Sequence, residues 1–421
     1  MGSVIRTPET GCSPSNWSFT PSTLRDGEPR PKNDRMADLD DPTIARDFCA
    51  ERSATNVRRI VHAGDWIVLP RASRSSVGSS VGARVLGASR TARRGVLSAV
   101  AHFDLPLDQL RSYLPDVAEP DDFDDFWGGT LEESRSLSSP PVLARVDTKL
   151  RTVEAYDMTF SGFGGEPVKA WLILPAGTSG RLPAVVEYNG YGGGRGLPHE
   201  RLTWPSCGYA HLFMDTRGQG SAGSAGGATA DPHGSGPSVP GSMTKGILDP
   251  HDYYYRRVFT DAVLAIDAVK SLDRVDPERV TVTGGSQGGG IALAAAGLVP
   301  DLVGAMPDVP FLAHFQRAVT MTDADPYNEV ARYLAVHRGD DAAVFTTLSY
   351  FDVVNFSKRA TSPALFSVGL MDIICPPSTV FAAANHHAVG AEVVEYPFNG
   401  HEGGQGVHWL RQSAWLADRI G

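Results

Sequence analysis

"VTVTGGSQGGGIALAAAG", residues 280–297, joins an alternating β-branched run to a run of small helix formers through five glycines that surround Ser286. Two chemistries place glycine at a strand-to-helix turn: a phosphate cradle and an exposed nucleophile. A phosphate loop closes its glycine run with Gly-Lys-Ser/Thr, and a dinucleotide fingerprint needs G-x-G-x-x-G with an acidic residue on the next strand. No lysine follows here, and the serine stands inside the turn. The match is to G-x-S-x-G at Gly284, Ser286 and Gly288, with a strand before and a helix after. So sharp a turn forces the serine backbone into a strained conformation, costing about 1–3 kcal/mol. Only glycine two positions away on either side avoids collision. The missing bulk thus frees the Ser286 hydroxyl to stand clear of the sheet.

A serine hydroxyl is a weak nucleophile until an imidazole takes its proton, and the imidazole needs a carboxylate to hold its tautomer. In α/β hydrolases these partners follow in the order Ser, Asp/Glu, His, each on a loop after a strand. "PALFSVGLMDIICPPS" (363–378) ends a strand at Gly369 and sets Asp372 three residues on; "AEVVEYPFNGHEGG" (391–404) ends a strand at Pro397 and sets His401 in a glycine-bounded loop. Rival acids are Asp301, Asp308, Asp323, Asp325 and Asp352, and rival bases are His386, His387 and His408. The paired histidines are expected in a helix and His408 inside the last helix, where packing roles are commoner. An oxyanion hole needs two aimed N–H groups. The residue after the nucleophile, Gln287, supplies one, and the loop in "VVEYNGYGGGRG" (185–196) supplies the other, Tyr191 being the candidate while Gly190 or Gly192 would serve the sequence equally. Arg217 in "FMDTRGQGSAG" (213–223) reads as an anchor between loops.

Working outward, "KAWLILP" (169–175), "PAVVEYN" (183–189), "YAHLFMD" (209–215), "RVTVTG" (279–284), "PALFSVG" (363–369) and "AEVVEYP" (391–397) read as buried strands. Val258, Ala262, Ile266 and Val269 form one apolar stripe with charges opposite, and residues 407–420 behave similarly. Strand and helix in alternation predict an α/β fold, a doubly wound, mostly parallel sheet with helices on both faces and its chemistry at the carboxyl ends of the strands. Residues 101–421 carry this pattern. Residues 1–100 differ: they hold a net charge of +5, nearly all of it arginine, against −15 for the rest. They lack any clear period and are expected to be a disordered or artefactual extension.

The overall charge of −10 argues against a nucleic-acid partner. Four cysteines without paired spacing argue against disulfides and a zinc site. No metal and no cofactor are expected. The sequence shows neither an 18-residue apolar run nor a secretory leader, so no membrane partner and a cytoplasmic location are the expectations.

Several motifs in fixed order resemble one family. "DTRGQG" (215–220), "GGSQGGG" (284–290) and "GHE" (400–402), with "MTKGILDPHDYYYR" (243–256) between the first two, closely resemble the cephalosporin-C deacetylase/acetyl xylan esterase family, carbohydrate esterase family 7. "FDLPLDQL" from Phe103 and "CPPSTVFAA" (375–383) extend the resemblance over residues 102–421. It implies an α/β-hydrolase fold and a serine esterase that deacetylates small molecules such as acetylated xylo-oligosaccharides and cephalosporin C. It also implies Ser286, Asp372 and His401 as a triad, Tyr191 and Gln287 as oxyanion donors, no metal, and a homohexamer. One departure is Asn189, where the family usually has histidine before Gly-Tyr. Val100 falls where the family's chains begin, so residues 1–99 are expected to derive from an upstream, miscalled start. The rival reading is a serine hydrolase of the same fold acting on other small esters or on peptides.

Overall fold

Among the described residues run nine strands: β1 (Val142–Val146), β2 (Val153–Ser161), β3 (Pro167–Pro175), β4 (Leu182–Tyr188), β5 (Ala210–Met214), β6 (Val275–Gly285), β7 (Gly304–Asp308), β8 (Ala364–Gly369) and β9 (Ala391–Tyr396). They form one sheet in the order β1-β2-β3-β5-β4-β6-β7-β8-β9. The computed structural model describes residues 102–222, 226–234 and 236–420; the extension expected at 1–100 lies outside the described residues. From β5 to β9 the neighbours are parallel, and β1, β2 and β3 add an antiparallel flank. This is the mostly parallel α/β sheet the strand–helix alternation predicts, and it agrees with the α/β-hydrolase fold that the family resemblance implies.

Three strands went unread in the sequence, each for a physical reason. β1 is an exposed edge with no buried face to pattern. β2 alternates buried and half-buried positions with polar residues between, so it shows no continuous apolar run. β7 is the five-residue stretch GAMPD, where Gly and Pro mask a strand whose neighbours on both sides dictate it.

The two faces of the sheet are packed differently. Ala184, Val186, Val280, Val282 and Phe366 belong to the large core beneath the helices Tyr254–Lys270 and Gln287–Leu298. Val185, Met306 and Leu365, one residue out of phase, pack with Trp204, Trp415 and Leu416 under the last helix, Gln405–Ile420. Such alternation is the period-two geometry of a strand buried on both sides.

The helix Tyr254–Lys270 departs from the expected single stripe: its Arg257 and Asp261 are buried along with its apolar residues. It lies between the sheet and the helix Phe123–Ser136, so almost no side faces water. Its charges are therefore paired. Arg217, 1% exposed, forms a two-pronged bond to Asp261 (2.6 and 2.7 Å) and a third to Glu166 (2.6 Å); Arg257 makes the same fork to Asp231 at 2.9 and 3.0 Å. Arg217 thus ties the loop after β5 to this helix, an anchoring role. Replacing it with leucine strands the fully buried Asp261 carboxylate, and the loss of stability is expected to be about 3–5 kcal/mol. Urea unfolding measures it; a shift under 1 kcal/mol would mean the carboxylates simply take up protons. Among the described residues no helix is long and apolar enough to cross a membrane.

Candidate active site

Ser286 sits between the end of β6 and the first residue of the helix Gln287–Leu298, with φ 56° and ψ −118°. A non-glycine residue at positive φ is strained, and the surroundings over-determine it. The Ser286 N–H donates to Asp308 O (2.9 Å), and its carbonyl accepts the N–H of Gly290 (3.1 Å) and Phe311 (2.9 Å). The glycines two positions away on either side, Gly284 and Gly288, admit no side chain. A Cβ on Gly284 would lie 2.5 Å from the Gly288 carbonyl, and one on Gly288 would lie 2.1 Å from the Tyr188 carbonyl. The turn and the end of β4 are in van der Waals contact, which is why the sequence keeps both positions bare.

His401 joins residues that are far apart in the chain. Its Nε2 lies 2.9 Å from Ser286 Oγ and its Nδ1 lies 2.8 Å from Asp372 Oδ2. Asp372 is fully buried after β8, and its other oxygen accepts the N–H groups of Ile374 (2.8 Å) and Cys375 (2.9 Å). Both carboxylate oxygens are therefore committed, and the side chain has one orientation. Glu402, next to the imidazole, accepts from Asn399 Nδ2 (2.9 Å) and Gly400 N–H (3.1 Å), which folds the loop that presents His401. A serine, an imidazole and a carboxylate in this chain of bonds can move a proton off the hydroxyl and keep the resulting cation stabilised.

The rival acids are occupied elsewhere. Asp352 caps the helix Val353–Ser357 and also takes the amides of His314 and Phe315. Asp301 pairs with Lys270 and Asp325 with Arg332, while Asp323 is exposed. Asp308 accepts the Ser367 hydroxyl, and burial raises its carboxyl above the usual range. Among the bases, His386 and His387 follow the helix Pro377–Asn385 rather than lying within it, because its last turn closes at His386. His387 is buried in apolar surroundings that push its imidazole down to about 4. His408 is buried inside the last helix, as expected, with its Nδ1 3.2 Å from the Tyr396 hydroxyl.

The loop after β4 carries Tyr191 past the turn. Among the described residues, neither the Tyr191 nor the Gln287 backbone amide has a hydrogen-bond acceptor, whereas the Gly192 amide is taken by Gln219 Oε1 at 2.7 Å. Gln287 is fully buried, and its side chain braces the same loop. Its Oε1 accepts from Gln219 Nε2 (2.8 Å) and the Tyr255 hydroxyl (2.9 Å), and its Nε2 donates to Asn189 O (3.2 Å). The Asn189 side chain, where the resembling family has histidine, donates to Gly194 O at 2.8 Å and closes the glycine-rich loop on itself. Gln219 and Tyr255 had no signal of their own in the sequence; both lie within quoted motifs, and only folding gives them a target.

Asp372, Cys375 and His401 present ligand atoms within 4.8 Å of one another, near enough to hold a metal. Their donors are already engaged: Asp372 and His401 bind each other, and burial pushes the Cys375 thiol well up, so it stays protonated.

Residues 100–419 match the family described as acetyl xylan esterase (AXE1). Acetyl esterase Axe7A of Xylanibacter ruminicola is 27% identical over 339 residues, covering 73% of this chain and 69% of that protein. The solved acetyl xylan esterase from Paenibacillus sp. R4 is 40% identical with a TM-score of 0.70, covering 75% of this chain and 100% of that one. Acetyl xylan esterase 1 from Thermoanaerobacterium sp. is 34% identical with the same TM-score, covering 75% and 99%.

Proposed function

The chain belongs to the acetyl xylan esterase family, carboxylic ester hydrolases on the α/β-hydrolase fold, and from that premise we propose that it removes acetyl groups from small acetylated molecules through an acetyl-serine intermediate. Acetylated xylo-oligosaccharides and the acetyl ester of cephalosporin C are the substrates proposed. One observation carries the reading: the His401 imidazole bridges Ser286 Oγ and Asp372.

In the first half-reaction Ser286 Oγ bonds to the acetyl carbonyl carbon as His401 Nε2 accepts the hydroxyl proton. Asp372 holds the Nδ1 proton and stabilises the imidazolium. The carbonyl oxygen gathers negative charge, which the Tyr191 and Gln287 amides receive; one such donor is worth roughly 3–4 kcal/mol. The C–O bond to the alcohol breaks, and the alcohol leaves with the proton from His401. In the second half, water attacks the acetyl-serine, His401 takes a proton from that water and returns it to Ser286 Oγ, and acetate departs. A homohexamer belongs to the same proposal on family resemblance, and a cytoplasmic location on four cysteines without paired spacing.

The acyl group is the testable part of the substrate claim. On p-nitrophenyl esters, kcat/KM is expected to be highest for acetate and to fall roughly tenfold or more by octanoate, because a pocket shaped for one methyl rejects added methylenes. Release of acetate from cephalosporin C and from acetylated xylo-oligosaccharides should accompany it. Preference for octanoate would overturn the assignment.

A further inference from the structure

We propose that Glu329 is a positioning residue for the oxyanion loop, holding Tyr191 by its side chain so that the Tyr191 backbone amide is fixed relative to Ser286. This rests on the reading of Tyr191 and Gln287 as oxyanion donors. The Tyr191 hydroxyl donates to Glu329 Oε1 (2.8 Å) and Oε2 (3.0 Å), and it accepts the N–H of Ser242 (2.5 Å). Glu329 Oε2 also accepts the N–H of Met243 at 3.0 Å. The carboxylate is 3% exposed and its partners are a hydroxyl and a backbone amide, an arrangement that costs free energy to keep. Gly241, at φ 126°, makes room for it: a Cβ there would lie 2.2 Å from the carboxylate.

Three separate segments meet at this point. Tyr191 follows β4, Ser242 and Met243 precede the helix Tyr254–Lys270, and Glu329 lies on the helix Tyr327–Val336 between β7 and β8. That helix is tied to the nucleophile as well. The ring of its first residue, Tyr327, packs on Phe311 with centroids 4.3 Å apart, and its hydroxyl bonds both the N–H and the carbonyl of Ala313 at 3.1 Å. Phe311 in turn donates its N–H to the Ser286 carbonyl. One helix therefore references both the serine and the loop that would face the developing oxyanion. The loop itself is rich in glycine and has little stiffness of its own. It is tethered at many points: Gln287 on the Asn189 carbonyl, Gln219 on the Gly192 amide, the amides of Gly220, Ser221 and Ala222 on the Gly192 carbonyl, Asn189 on the Gly194 carbonyl and Asp215 on the Arg195 amide; Glu329 adds the carboxylate contact to the Tyr191 hydroxyl itself.

Glutamine is a poorer match here than the carboxylate. Its two oxygens face a hydroxyl that already accepts one N–H, and a second N–H from Met243. An amide NH₂ at the Oε2 place would meet the Met243 N–H, and at the Oε1 place it would compete with the Ser242 N–H for the Tyr191 hydroxyl oxygen. Glu329→Gln is expected to lower kcat on p-nitrophenyl acetate about 10- to 100-fold, with KM within about twofold, since a small misplacement of one donor acts on the transition state. Tyr191→Phe should do the same, and the double variant should be no worse than the more severe single, because both cut one bond. A merely structural role would lower Tm and leave kcat per folded molecule unchanged. If Glu329→Gln does not fold, Tyr191→Phe, which removes only the hydroxyl, decides. A kcat within twofold of the parent enzyme in a folded single variant, or losses that multiply in the double, overturns the assignment. Ser286→Ala in the same assay separates the two layers. If it is inactive while the other variants turn over normally, only the role of Glu329 falls; if it stays active, the oxyanion reading falls with it.

Discussion

Ser286→Ala is expected to reduce kcat on p-nitrophenyl acetate by about a million-fold, the scale on which serine hydrolases lose turnover when the nucleophile goes. The substitution leaves the fold alone. The strained backbone at φ 56° is held by the amides of Gly290 and Phe311 and by the Asp308 carbonyl, none of which involves the hydroxyl. What disappears is the atom that His401 Nε2 can deprotonate. The nearest substitute, the Cys375 thiol, is buried and kept protonated, so it supplies no thiolate. A residual rate roughly a thousandfold above water should persist from the oxyanion amides alone. Turnover within tenfold of the unaltered enzyme, measured with freshly purified protein and mass-verified sequence, would end the acetyl-serine mechanism.

Asp372→Asn carries the second largest expected effect, a loss of about ten-thousandfold in kcat. The geometry says why. Oδ1 accepts two backbone N–H groups, from Ile374 and Cys375, so the asparagine oxygen must occupy that place and its NH₂ must face His401 Nδ1. A donor there makes Nδ1 the acceptor and moves the imidazole proton to Nε2. The nitrogen 2.9 Å from Ser286 Oγ then carries a hydrogen and cannot take another. Structure is preserved and chemistry stops. Imidazole N–H resonances should move from Nδ1 to Nε2 with the substitution, while thermal unfolding changes little. A loss of less than tenfold would show that another carboxylate orients His401, with Asp308 the first to examine.

The stretch around Ser286 was legible because its constraint is local. Strand, bare turn and small-residue helix are consecutive, and the collisions that forbid a Cβ at Gly284 and Gly288 involve the turn itself and the adjacent end of β4. The strands at 363–369 and 391–397 were legible for the same reason, each a short run closed by a turn, although β9 lies at the sheet edge and is half-buried rather than buried as expected. β7 was not, since its strand character comes from β6 and β8 on either side rather than from GAMPD. The stripe read in the helix Tyr254–Lys270 missed its buried ion pairs, because Arg217 and Asp261 are 44 residues apart. Glu329 was invisible for a stronger version of that reason: it meets Tyr191 across 138 residues, and no motif marks the Glu329 end.

By itself, then, the sequence determined the fold class, the backbone bend that lifts one hydroxyl clear of the sheet, and the order in which an acid and a base follow it, because steric exclusion and strand periodicity act over a few residues. Tertiary structure alone decided which buried charges neutralise each other, which helix fills the space above the sheet, and what braces the loop beside the serine. Those outcomes depend on donors and acceptors that become neighbours only when water is expelled between distant segments, and no local pattern encodes that meeting.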